Sequence, residues 1–138
     1  MSQFRQKEKP LYYGWQGQGV NKIFLFGSEL KALKQHPEFK GEINRNAIAL
    51  QLRHNYIPDP YSIYKDIHKL LPGHYLQLKL RDLKKGLMPK LKNYWSLTKC
   101  AVDGNKNILP LNGPEIQNDL ESRLKLSVKQ QMISDVPT

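Results

Sequence analysis

The chain has one cysteine, Cys100, in 138 residues, so no internal disulfide can brace it. That usage fits a reducing compartment. No apolar run approaches the ~20 residues that a membrane-spanning helix needs. The first residues, Met1-Ser2-Gln3-Phe4-Arg5-Gln6-Lys7-Glu8, are polar and lack the apolar stretch of a signal peptide. A cytoplasmic protein is the expectation. Acidic side chains are scarce, 12 against 22 lysines and arginines, and the net charge is +10. Such a balance favours anionic partners, nucleic acid among them. Apolar residues make up 39%, so any core is small. Internal repeats and low-complexity segments are absent.

What is present divides into short elements. Leu11-Tyr12-Tyr13-Gly14-Trp15 reads as an aromatic strand and Gln16-Gly17-Gln18-Gly19 as a turn. Lys22-Ile23-Phe24-Leu25-Phe26-Gly27 reads as a second strand, apolar enough for burial on both faces, and the two predict a hairpin. Ser28 is placed to cap a short helix reaching about Gln35, with Glu29 and Lys34 matching its dipole. Asn44 is placed to cap a second helix reaching about Asn55, with Ile43 and Ile48 at the positions of a hydrophobic staple. Pro58-Asp59-Pro60 ends that region, and 61–73 is expected to be a loop with apolar anchors closed by Pro72-Gly73. The run from His74 to Leu80 alternates with period two, as a half-buried strand does, and a return strand is expected over 92–97. Residues 98–113, with Asp103-Gly104-Asn105 and Asn112-Gly113, read as a linker. Pro114 opens a last helix whose Ile116, Leu120, Leu124, Val128 and Met132 recur every four residues. A single apolar stripe of this kind needs a covering surface.

Reactive groups are sparse. His36, His54, His68 and His74 lack the tight His, Cys or carboxylate spacing of a zinc site, and Asp66 with His68 is a weak exception. His54, at a helix end, reads as a capping or hydrogen-bonding residue. Cys100 has Lys99 beside it but no base to make it a catalytic thiol. Gly14-x-x-Gly17-x-Gly19 lies between two strands, so no helix N-terminus faces it and a phosphate loop is the poorer reading. Six basic residues against one acid, Asp82, fill residues 79–92. They read either as a solvated hairpin loop or as a basic nucleic-acid-binding module, the alternative function for the chain.

Several segments, in order, resemble one family. Lys9-Pro10-Leu11-Tyr12-Tyr13-Gly14 resembles its K-P-L-Y-Y-G strand. Phe24-Leu25-Phe26-Gly27-Ser28-Glu29-Leu30-Lys31-Ala32-Leu33 resembles its apolar strand followed by S-E-x-K-A-L. Arg53-His54-Asn55-Tyr56-Ile57-Pro58, Pro60-Tyr61-Ser62-Ile63-Tyr64, Leu71-Pro72-Gly73-His74 and Asn93-Tyr94-Trp95-Ser96-Leu97 are similar to the segments that follow. Ser134-Asp135-Val136-Pro137 resembles its S-D-V-P junction. The family is the glutamine-hydrolysing asparagine synthetases, and the resemblance runs from residue 9 to residue 137.

The resemblance implies an α+β fold: part of an N-terminal-nucleophile glutaminase sandwich of antiparallel strands and helices, then a linker and the first helix of an ATP-pyrophosphatase-like synthetase domain. Residues 1–97 correspond to the C-terminal part of the glutaminase domain, 98–113 to the linker and 114–138 to the start of the synthetase domain. The family converts aspartate, glutamine and ATP to asparagine, glutamate, AMP and pyrophosphate. Its nucleophilic cysteine, glutamine-binding residues and nucleotide loop have no counterpart here. The expectation is therefore an internal fragment, inactive alone, whose partners are the upstream and downstream parts of the same enzyme. Ser2 is a weak substitute nucleophile, because only half a sandwich would surround it. No catalytic, cofactor or metal residue is implied in this chain. ATP and magnesium are implied for the full-length family, which also admits a homodimer. Ser28, Glu29, Leu30 and Lys31 are candidate channel-lining or domain-interface positions, with a core leucine and a cap-and-surface pair as the plainer reading. Unpaired strand edges are expected in such a half-sheet.

Overall fold

The computed structural model describes residues 9–108 and 112–132. The chain divides into two units, Phe4–Ser96 and a second made of Leu97–Thr138 with Met1–Gln3. Ser2 and the S-D-V-P segment at 134–137 lie outside the described residues.

The first unit starts from the expected hairpin. Strand β1 (Tyr12–Gln16) pairs antiparallel with β2 (Ile23–Gly27), Gly14 opposite Leu25. Gly17 and Gly19 adopt positive φ in the connection, which closes through a short 3-10 turn, Gly19–Asn21. Gln16, expected in the turn, is the last residue of β1. The expectation that β2 is buried on both faces fails. Leu25 is buried but Phe26 is 63% exposed, because alternation sets it on the face opposite the Leu25 core, where no described segment covers it.

Strand β3 (Ile67–Lys69) is the largest departure from the expected 61–73 loop. It pairs antiparallel with β1, Ile67 opposite Gly14 and Lys69 opposite Tyr12. Three residues are too few for a period-two signal, so pairing with β1 creates the strand. Its Ile67 joins Leu25 and Leu33 in the core, flanked by Tyr12, Ile23, Leu30, Phe39 and Tyr64.

Helix α1 (Leu30–Leu33) begins after Glu29, not Ser28, and no side chain caps it. Its position is set by packing: a Cβ on Gly27 would lie 3.3 Å from Leu33 Cδ2. Helix α2 (Arg45–His54) is capped as expected, Asn44 accepting from the backbone N–H groups of Asn46 and Ala47. Asn55 ends it in the left-handed conformation at φ 62°. Ile43 and Ile48 hold the staple positions, both with much of their surface open. Asn44→Ala is expected to cost about 1 kcal/mol of unit stability. Urea unfolding checks this, and an unchanged midpoint would refute the cap's contribution.

Strand β4 (His74–Gln77) pairs antiparallel with β5 (Lys90–Asn93) as a separate two-stranded sheet. β4 stops at Gln77, short of the expected Leu80, because Leu80 opens helix α3 (Leu80–Lys84) inside the basic connection. The return strand accordingly starts at Lys90 and not Lys92. The mixed architecture of antiparallel strands and helices stands.

In the second unit, the stretch read as a linker carries helix α4 (Leu97–Lys106). Asp103-Gly104-Asn105, read as a turn, lies within it. Helix α5 (Gly113–Gln131) is opened by a capping box. Asn112 accepts from the Glu115 backbone N–H, and the Glu115 carboxylate accepts from that of Asn112. Ile116, Leu120, Leu124, Val128 and Met132 all remain exposed. Ion pairs Arg123–Asp119 and Lys125–Glu121, each spaced i,i+4, lie outside this stripe.

Candidate functional site

Several of the segments that carry the family resemblance meet in space, the apolar strand and the proline turn around β1 and the L-P-G-H and Y-W segments with each other. Lys69, at the end of β3, holds the Pro58-Asp59-Pro60 turn. Its Nζ donates to the Ile57 carbonyl and lies 3.7 Å from Asp59 Oδ1, while its backbone N–H donates to Pro60 O at 2.8 Å. The Asp59–Pro60 peptide is cis. Burial, and then the Asp59 carboxylate, push the Tyr12 phenol above its usual pKa. Burial alone does the same to Tyr13. Further along, Gly73 sits at φ 68° and its carbonyl accepts the backbone N–H groups of Tyr94 and Trp95. A Cβ there would stand 2.0 Å from Trp95 O, so the L-P-G-H and Y-W segments lock together only through glycine. The Trp95 indole N–H is buried with no hydrogen-bond partner among the described residues.

A polar cleft of about 120 Å³ opens where β1 ends. Its lining comprises Trp15, Gln16, Gly17, Gln18, Lys40, Glu42, Lys65 and Asp66. Gln16 organises it. Only 7% exposed, its amide Nε2 donates to Lys65 O at 3.2 Å and its Oε1 accepts from Lys40 N–H at 3.1 Å. A buried amide must find partners for both ends, and this one ties together segments 24 and 49 residues away. Glu42 and Lys65 form an ion pair beside it and also line an open cleft over the start of α2, with Ile43, Asn44, Arg45 and Asn46. Gln16, Lys65 and Lys69 were not singled out in the sequence. Gln16 at the end of an aromatic strand was the one available signal. This arrangement braces the end of β1, and among the described lining residues no nucleophile is poised beside a base.

The four candidate interface residues separate. Leu30 is half-buried against Leu25, Leu33 and Ile67, the core reading. Ser28, Glu29 and Lys31 are exposed. The Lys31 ammonium lies 2.9 Å from the Glu29 carboxylate, and this hydrogen bond, reinforced by charge, raises the lysine pKa. At such exposure the pair adds little to stability.

The histidines stand apart. His36 Nδ1 accepts from Glu38 N–H, His54 lies tilted against Tyr56, and His68 packs against Tyr13. His74 contacts Pro72 O and Asn93. Among the described residues no group of three or more His, Cys, Asp or Glu could hold a metal ion, and no helix is long and apolar enough to cross a membrane. Cys100 is exposed on α4. The basic connection between β4 and β5 is anchored to the hairpin: Trp15 Nε1 donates to Leu87 O at 3.2 Å and Lys22 Nζ to Gly86 O at 3.3 Å. Lys22 also lies 5.2 Å from the Trp15 ring centroid.

The mixed antiparallel strands and helices are consistent with a known domain class, which the sequence itself matches. Residues 3–95 match the glutamine amidotransferase domain, and the chain belongs to that family. Its homologues are glutamine-hydrolysing asparagine synthetases. It is 36% identical over 131 residues to the putative asparagine synthetase (glutamine-hydrolyzing) 2 of Methanocaldococcus jannaschii, which covers 94% of this chain and 22% of that protein. It is 29% identical over 131 residues to asparagine synthetase (glutamine-hydrolyzing) 3 of Bacillus subtilis, 94% of this chain and 18% of that one. The chain thus spans about a fifth of the length of the curated relatives it matches. No solved structure matches it.

Proposed function

We propose that this chain works within a glutamine-hydrolysing asparagine synthetase, as a structural part of the glutaminase domain leading into the start of the synthetase domain, and has no turnover of its own. In that enzyme, ammonia released from glutamine attacks an aspartate activated by ATP. The observation that carries the reading is the match of residues 3–95 to the amidotransferase domain, continued by homology over 94% of the chain to two proteins named as such synthetases. The site geometry supports a bracing role: Gln16, Lys69 and Gly73 each tie distant segments to one another, and none is placed to react. On this reading, the remainder of the enzyme is the partner and supplies the sites for ATP and magnesium. Helix α5 belongs to the synthetase domain, whose surface covers its open stripe. Ser28, Glu29 and Lys31, which face outward, then form the interface toward the path of ammonia, and Leu30 supports them from the core.

The test is an assay of the purified chain for glutamine hydrolysis and for aspartate-dependent pyrophosphate release. No turnover above background is expected in either. Turnover in one of them would overturn the proposal.

A further inference from the structure

The two-stranded sheet has a face that the amidotransferase reading does not use. In the β4–β5 ladder Tyr75 lies opposite Lys92 and Gln77 opposite Lys90. Residues directly opposed, and those two apart along a strand, share a face. Tyr94 continues the alternation from Lys92, its backbone N–H donating to Gly73 O at 2.8 Å. One face therefore carries Tyr75, Tyr94, Lys90 and Lys92, and all four are exposed. The Tyr75 and Tyr94 rings stand 6.4 Å apart between centroids, tilted by 37°. His74 and Leu76, on the other face, are half-buried.

The connection between the strands extends the charge. Its six basic residues against one acid give residues 79–92 a net charge of +5, half that of the chain. That acid, Asp82, is engaged by Arg81 at 3.4 Å. Lys79, Lys84, Lys85, Lys90 and Lys92 have no carboxylate partner among the described residues. The bonds of Trp15 to Leu87 O and of Lys22 to Gly86 O hold the connection in place, and Lys22 adds a further cation. Cations fixed beforehand lose less freedom when an anion arrives. Ammonium groups lose their hydration beneath an apolar surface, so this face suits water or an anion.

Charge alone accepts any polyanion, and the paired rings narrow the choice. Unpaired bases stack on exposed aromatic side chains while lysines meet the phosphates between them. A duplex keeps its bases stacked on one another, and an acidic protein surface leaves the rings unused. We propose that the β4–β5 face binds single-stranded nucleic acid, with bases on Tyr75 and Tyr94 and phosphates on Lys90 and Lys92. Contacts of this kind read base faces and backbone, so they carry little sequence preference.

The test titrates the full chain into a labelled oligothymidylate and follows fluorescence anisotropy at several salt concentrations. Binding is expected at low salt and weakens as salt rises. Lys90→Gln with Lys92→Gln is expected to flatten the slope of log affinity against log salt by about 1.4, at about 0.7 for each lost phosphate contact. Tyr75→Leu with Tyr94→Leu is expected to weaken binding by about tenfold or more with the slope unchanged. Tyr75→Phe with Tyr94→Phe keeps the rings and is expected to retain the affinity. No binding at low salt, or full affinity in the leucine pair, would overturn the proposal. Equal affinity for the corresponding duplex would do the same, since the rings would then take no part. Polyglutamate that displaces the label as well as unlabelled oligothymidylate does would mark an acidic protein surface as the occupant, and would overturn it equally. None of these outcomes bears on the turnover assay above.

Discussion

Gly14→Ala is expected to abolish the cooperative melting of the three-stranded sheet, or to lower its midpoint by more than about 12 °C. Gly14 sits in β1 between Leu25 and Ile67. A Cβ there would stand 1.8 Å from the Asp66 carbonyl oxygen, 2.8 Å from its carbon and 3.1 Å from Ile67 Cα. These are backbone atoms and cannot rotate aside. Asp66 itself holds φ 59°, so the chain brings this carbonyl onto Gly14 through a left-handed residue just before β3. Glycine weakens a strand on propensity, and its presence in one marks such a close approach. The added methyl forces β3 away from β1 and opens the core at Ile67. Gly104→Ala supplies the control: a Cβ there has nothing within 4 Å, and the site is helical. There the same substitution is expected to favour the helix by about 1 kcal/mol. Thermal melts followed by circular dichroism compare the two. A Gly14→Ala midpoint close to that of the native chain would refute the contact.

Ile67→Ala is expected to cost about 2–5 kcal/mol. Ile67 is 2% exposed and shares the core cluster with the buried Leu25 and Leu33. The cost within that range depends on how far the flanking Tyr12, Ile23, Leu30, Phe39 and Tyr64 close over the cavity. Against a typical total of about 5–15 kcal/mol, such a loss removes a large share of the unit's stability. Leu52→Ala, at a side chain 80% exposed, is expected to change stability by less than about 0.5 kcal/mol. Urea midpoints measure both, and equal shifts would show that the core does not centre on β3.

Much of the local structure was readable from neighbouring residues. Asn44 and Asn55 bound α2 because a cap and a left-handed terminus are properties of one or two side chains. The hairpin followed from two apolar runs around Gly17 and Gly19. The capping box at Asn112 and Glu115 was equally local, and reading Asn112-Gly113 as a turn passed over it. Reading the last helix from Pro114 nevertheless placed its start within one residue. Asp103-Gly104-Asn105 misled in the other direction, as a turn signal by composition inside α4.

The site was less legible. The family resemblance rests on ordered motifs, and those motifs name the residues that meet: the β1 strand, the proline turn, Gly73 and Trp95. That Lys69 binds the proline turn and Gln16 bridges Lys40 and Lys65 could not be read, because each bond joins positions far apart in the chain.

Order, caps and turns were thus set by residues within a few positions of each other, where side chains act on their own backbone. The strand at Ile67, the exposure of Phe26, the start of α1 beyond Ser28 and the need for glycine at 14 arose from pairing and packing between distant segments. The physical reason is that a three-residue strand has no intrinsic preference strong enough to exist alone, and only a neighbouring strand's hydrogen bonds bring it into being.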